Sequence, residues 1–168
     1  RARQYLGSSI RPRSRTSHSF AYSALPRNRQ RRYPYRMSVE PSDVVRGLHA
    51  ALEAGTHGDE LRGFFTEDAV TVERPNRLKP AGDAATIDQM ITASTAGVGL
   101  LSWQRYEVRS LVEVGSEVIV RCTWTGQVAK DIGPFHKDQL LTAHLAQFIG
   151  VRGDKVASIE TYDCYEPF

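Results

Sequence analysis

Three or four β-rich segments, at about 103–114, 117–129, 138–151 and 155–165, fill the C-terminal part of the chain, and they restrict the fold more than any other feature. Gly115-Ser116 and Gly153-Asp154 stand between neighbouring segments, at spacings that suit antiparallel hairpins. Helical patterns precede them. That order predicts an α+β fold, with helices gathered on one face of a mostly antiparallel sheet, and not an alternating parallel one. Between 140 and 149 one parity reads Leu140, Thr142, His144, Ala146, Phe148 and the other Leu141, Ala143, Leu145, Gln147, Ile149. Neither parity is polar enough for open water, so both faces need cover. The helices are expected to cover one face and a second copy of the chain much of the other.

Upstream, Ser42 or Asp43 can cap a helix whose apolar positions Val44, Val45, Leu48 and Leu52 form one stripe and which Gly55 can end. A short second helix is predicted over 59–65, with Leu61, Phe64 and Phe65 facing inward and Thr66-Glu67-Asp68 breaking it. Residues 69–73 alternate as a strand that Pro75 stops. Asp83 is expected to cap a third helix carrying Ile87, Met90 and Ile91, fading at Gly97 and Gly99.

Charge divides the chain at Met37. Residues 1–36 hold ten Arg and no acid, whereas residues 37–168 hold the other twelve bases and all nineteen acids, a net of −7. The head, with six Ser and three Pro, has no apolar period and cannot bury enough to fold alone. Its composition fits an organelle transit peptide or a phosphate-binding tail. The reading favoured is that translation begins at Met37 and that the head is upstream or extraneous sequence, which leaves nucleic acid an improbable partner. Residues 37–168 are then one domain large enough for a real core. No apolar run approaches a membrane span and no secretory h-region occurs, so a cytoplasmic location is expected, or an organelle if the head is native.

Cys122 and Cys164 are too far apart for a CxxC motif, and His136 and His144 match no metal-ligand spacing. Gly97-Val98-Gly99 lacks the third glycine of a dinucleotide loop, and no Gly-x-Ser-x-Gly elbow occurs. Chemistry without a metal or other cofactor is the expectation left.

Three stretches carry a resemblance: Ala50-Ala51-Leu52-Glu53-Ala54-Gly55, Phe64-Phe65-Thr66-Glu67-Asp68-Ala69-Val70, and Thr161-Tyr162-Asp163-Cys164-Tyr165-Glu166-Pro167-Phe168. Residues 43–168 resemble the SnoaL-like group of the nuclear-transport-factor-2-like superfamily. The resemblance implies a curved sheet wrapped as a cone around three N-terminal helices, one internal pocket, and usually a homodimer. That superfamily spans polyketide cyclases, ketosteroid isomerases, epoxide hydrolases, dehydratases and inert binders, so the fold alone settles no chemistry. The isomerase base would fall at Arg74, which cannot act as one, and the isomerase phenol at Leu48. Epoxide hydrolases would match Asp163 and Arg121 but need an acid where Thr123 stands. A cyclase asks for less, mainly an acid and a histidine beside the ligand.

Asp163 is therefore the expected principal acid or base, with His144 and Arg121 assisting. An apolar pocket would raise its pKa toward neutrality, and a histidine is the side chain suited to exchange protons with it there. Trp103, Tyr106, Trp124, Tyr162 and Phe65 are candidates to line the pocket and stack on a flat, hydrophobic, polyketide-like or aromatic ligand. The plainer alternatives stay open: Asp163 as a cap or ion-pair partner, His144 satisfied within the sheet, and the aromatics as ordinary core. A one-residue slip in so short an alignment turns each side chain to the other face.

Overall fold

The computed structural model describes residues 39–168, so the arginine-rich head lies outside the described residues. Pro41 starts the first helix because a first-turn residue has no use for the N–H that proline lacks. This helix, α1, spans Pro41–Glu53, with the extended Glu40 as its cap residue. Ser42 and Asp43, expected as caps, lie inside the first turn instead. The Ser42 N–H donates to Glu113 Oε1 at 2.6 Å, so a carboxylate from the sheet supplies what a capping side chain would. Val44, Val45, Leu48 and His49 form the buried stripe, and Gly55, at φ 79°, turns the chain away.

Helix α2 is shorter than expected, Gly58–Arg62, because the Phe64-Phe65 pair feeds a strand. Strand β1 spans Phe65–Glu73, and its register jumps between Phe65 and Val70. The polar triplet 66–68 thus sits in an irregularity of the strand and does not precede it. Asp83 also departs from expectation. It begins β2, Asp83–Thr86, which pairs antiparallel with the end of β1, and α3 (Ile87–Ala96) starts from Thr86. Thr86 and Gln89 make a capping box, the Thr86 N–H donating to Gln89 Oε1 at 2.9 Å.

The four long strands fall within two residues of the predicted limits: β3 Leu101–Val114, β4 Glu117–Val128, β5 Leu140–Arg152 and β6 Lys155–Tyr165. Sheet order is β2-β1-β6-β5-β4-β3, antiparallel throughout except for the β1–β6 pair. The curved sheet carries α1 across β3, β4, β5 and β6, while α3 lies on β1 and β2. One parity of each strand meets the helices. On β4 it is Val118, Val120, Cys122 and Trp124; on β5 it is Ala143, Leu145, Gln147 and Ile149. Val45 and Leu48 of α1 pack with Val118, Val120, Ile149 and Val156, all at most 1% exposed. Burying each such side chain stabilises by about 1.5–3 kcal/mol. The opposite parity forms the outer face, where Trp103, Leu140 and Tyr162 remain well exposed.

Candidate active site

Between the α1 core and the far end of the sheet, the helix-facing parity changes from aliphatic to polar. Gln104 and Tyr106 of β3, Trp124 of β4, Gln147 of β5, and Thr161, Asp163 and Tyr165 of β6 come together around a cavity of about 290 Å³. Strand period places them: Asp163 is level with Leu145 and Cys122, and Tyr165 with Ala143 and Trp124. Trp124 also walls a second, apolar compartment of about 460 Å³, lined by Leu101, Val128, Leu141 and the Ile132–Phe135 loop. The indole fits because Gly126 has no side chain. A Cβ there would stand 2.6 Å from Trp124 Cζ2. Trp124 Nε1 donates to Gln104 Oε1 at 3.0 Å, and Tyr165 meets the indole edge-on at 6.3 Å.

Of the residues expected at the site, Asp163, Tyr106 and Trp124 are brought together and the others are not. His144 is level with Cys164 and so points to the outer face, where its Nε2 lies 3.1 Å from Glu166 Oε1. The expected pairing of His144 with Asp163 is therefore not formed. Arg121, exposed and level with Ala146 and Tyr162, projects from that same outer face. It neither enters the cavity nor reaches Asp163. Trp103 is 44% exposed and donates Nε1–H to Gln127 Oε1 at 2.9 Å; Tyr162 donates its hydroxyl to Glu160 at 2.8 Å. Phe65 is core, 5% exposed, and lines neither compartment. Arg74 pairs with Glu160 at 2.7 Å, whereas Glu73 is the largely buried residue at the end of β1, held by Lys79 at 2.7 Å and by Asn76.

Sequence reasoning missed His49, Gln104, Gln147, Thr161 and Tyr165. Parity was the available signal. Once Asp163 faces inward, Thr161 and Tyr165 must do so too, and with them the Leu145 parity of β5 that contains Gln147.

Burial raises the pKa of Asp163, the Glu73 charge adds to the rise, and the Thr161 hydroxyl hydrogen-bonded to it and Lys79 oppose it. Burial likewise raises Tyr106 and Tyr165, and the Asp163 charge pushes both further, so they stay protonated donors. His49, buried on α1, has its pKa lowered by desolvation and is neutral. Its ring stacks on Tyr106 at 4.7 Å, and its Nε2 lies 2.9 Å from Gln147 Oε1. Among the described residues no Lys or Arg lines the polar compartment. The arrangement offers one carboxylate with raised basicity, neutral donors around it, and an apolar chamber alongside.

Compared by sequence, the chain matches no family model and no curated protein. Compared by structure, it is similar to IdmH, a candidate polyketide cyclase from Streptomyces antibioticus, with TM-score 0.62 and 19% identity over 74% of this chain and 92% of that one. The fold is SnoaL-like and NTF2-like. A candidate SnoaL-like polyketide cyclase from Jannaschia sp. CCS1 aligns with TM-score 0.59 and 17% identity, covering 80% of this chain and 90% of that one. An NTF2-like protein from Anabaena variabilis ATCC 29413 aligns with TM-score 0.54 and 15% identity over 76% and 94%. Such identities establish the NTF2-like architecture and leave the chemistry to the side chains. Among the described residues no cluster of His, Cys, Asp and Glu is placed to hold a metal ion, and no helix is long and apolar enough to cross a membrane.

Proposed function

We propose that this protein binds a small, uncharged, mostly apolar molecule bearing a carbonyl, and that Asp163 takes a proton from the carbon beside that carbonyl and returns it elsewhere. Cyclisation, isomerisation and dehydration of polyketide-like or aromatic compounds all begin that way. The observation that carries the reading is a part-buried carboxylate of raised pKa in a polar cavity that shares its Trp124 wall with a larger apolar one. A base is most effective when its pKa approaches the working pH, and desolvation moves Asp163 in that direction. Among the described residues the polar wall carries the Asp163 carboxylate and no cation, which favours an uncharged ligand over a carboxylate or phosphate. Trp124 and Tyr165 suit a flat ring system, and the apolar chamber suits its remainder.

The test uses an aromatic ketone with acidic α-protons, 2-tetralone, incubated in deuterated buffer and followed by proton NMR. Wild type should speed deuterium incorporation, and Asp163→Asn should remove most of that acceleration while leaving affinity nearly unchanged. Equal rates for both proteins refute the reading.

A second reading, an inert ligand-binding or dimerisation module, is favoured by one observation: His144 does not accompany Asp163, which leaves a single titrating carboxylate at the cavity. A ketone bound without any proton exchange would select it. A second copy seated on the outer face, over Trp103, Leu140 and Tyr162, belongs to either reading, and sedimentation equilibrium checks it.

A further inference from the structure

His49 is a buried titratable group that the proton transfer above does not use. It is 6% exposed, and its Nδ1 is the one buried side-chain polar atom without a hydrogen-bond partner among the described residues. A neutral imidazole carries a single N–H. If that proton were on Nδ1, it would be a buried donor with nothing to meet, a rarer and costlier arrangement than a buried lone pair. Placing it on Nε2 lets it donate to Gln147 Oε1, 2.9 Å away. An amide whose oxygen is engaged in this way has its NH₂ fixed as well. Gln147 lines the polar compartment with Thr161 and Asp163, and its amide nitrogen makes no hydrogen bond among the described residues. The near-parallel stack of Tyr106 on the His49 ring, 9° between planes, prevents the imidazole from turning away.

We propose that His49 is a positioning residue, holding the Gln147 amide, level with Thr161 on the strand next to Asp163, with its N–H groups toward the cavity as hydrogen-bond donors to the ligand's carbonyl oxygen. The role rests on the carbonyl-ligand reading above. As Asp163 removes the α-proton, negative charge moves onto that oxygen. A preorganised donor stabilises this charge more than it stabilises the neutral carbonyl. The imidazole does this without touching the ligand, since it acts through the amide oxygen.

Two measurements test the assignment. Nitrogen-15 NMR of the imidazole at pH 7 should show a neutral Nε2–H tautomer, unchanged in Asp163→Asn. The second uses 6-propionyl-2-dimethylaminonaphthalene, an uncharged apolar ketone whose emission moves to longer wavelength when its carbonyl accepts a hydrogen bond. Bound to wild type it should emit at longer wavelength than when bound to His49→Phe, which keeps the stack on Tyr106 but loses the N–H. Gln147→Leu should give the same blue shift by an independent route, and His49→Gln, whose amide can still donate, should restore part of the wild-type emission. An Nδ1–H tautomer, or unshifted emission from both His49→Phe and Gln147→Leu, overturns the role of His49. Failure of wild type to bind the ketone at all overturns the carbonyl-ligand reading, and this role with it.

Discussion

Gly126→Ala tests whether the site depends on the seat of the Trp124 indole. The added methyl would lie 2.6 Å from Cζ2, 2.8 Å from Cη2 and 3.2 Å from Leu101 Cδ1. Ordinary carbon contacts are about 3.5–4.0 Å, so the ring has to retreat by roughly 1 Å. Its only direction is into the cavity, because strand β4 lies beneath it. Overpacking of this kind costs about 1–3 kcal/mol. A shift of that size also stretches the 3.0 Å bond from Nε1 to Gln104 out of range, for about 1 kcal/mol more. Replacing a strand glycine returns roughly 0.5–1 kcal/mol of backbone entropy. The net loss is about 1–3.5 kcal/mol, which for a domain of this size lowers Tm by roughly 4–13 °C. Trp103 and Trp124 are the chain's two tryptophans, so a Trp103→Phe background leaves one reporter. In that background Gly126→Ala should show the lowered melting point, a changed indole emission and weaker binding of the naphthalene ketone. A melting point within experimental error of the parent, with unchanged emission, would refute the seating argument.

Asp163 makes a second prediction, about pH. Its folded pKa is raised, so the folded state holds a proton more tightly than the unfolded chain does, and stability falls as pH rises from the usual carboxylate range through the folded value. Asp163→Asn should therefore melt higher than wild type at pH 7 and show little advantage at pH 3.5; a variant less stable at pH 7 counts against the buried charge. His49 acts with the opposite sign: its lowered pKa means stability is intact above about 6.5 and is lost on acidification below it, so the melting curve of His49→Phe should be flatter between pH 7.5 and 5. Cys122 is buried with its thiol pushed up to about 11, whereas Cys164 is exposed, so a thiol reagent at pH 8 should label one cysteine in the native protein and both in guanidinium. Leu48→Ala, at a position 1% exposed in the centre of the core, should cost about 2–5 kcal/mol by chemical denaturation.

The long strands β3 to β6 were legible because period, β-branched composition and two glycine-bearing turns agree along their whole length. Strand β2 was not legible. Its four residues are too few to carry a period, and Asp83 at its start resembles a helix cap. The true start, Thr86 with Gln89 three residues on, is a capping pattern that could have been read. At the site, Asp163, Tyr106 and Trp124 were found and His144 and Arg121 misplaced, for a single reason. The latter two were chosen for their chemistry, whereas strand parity decides which chemistry meets. His49 was hidden differently. It lies beside Leu48 and four residues after Val45, within the buried stripe, but a histidine there reads as an interruption until its partner on β5 is known.

The position of β6 between β5 and β1 has a consequence for folding. Without its eleven residues, the β1–β2 ribbon and the β3–β4–β5 meander share no backbone ladder, and the Arg152 side chain, which bonds Thr66 and Asp68, is left to bridge them. The last strand unites both halves and delivers Asp163 and Thr161 in the same event. Chains cut before Lys155 should yield aggregation-prone fragments that never hold a half-built pocket, so sheet closure and assembly of the polar cavity depend on the same strand.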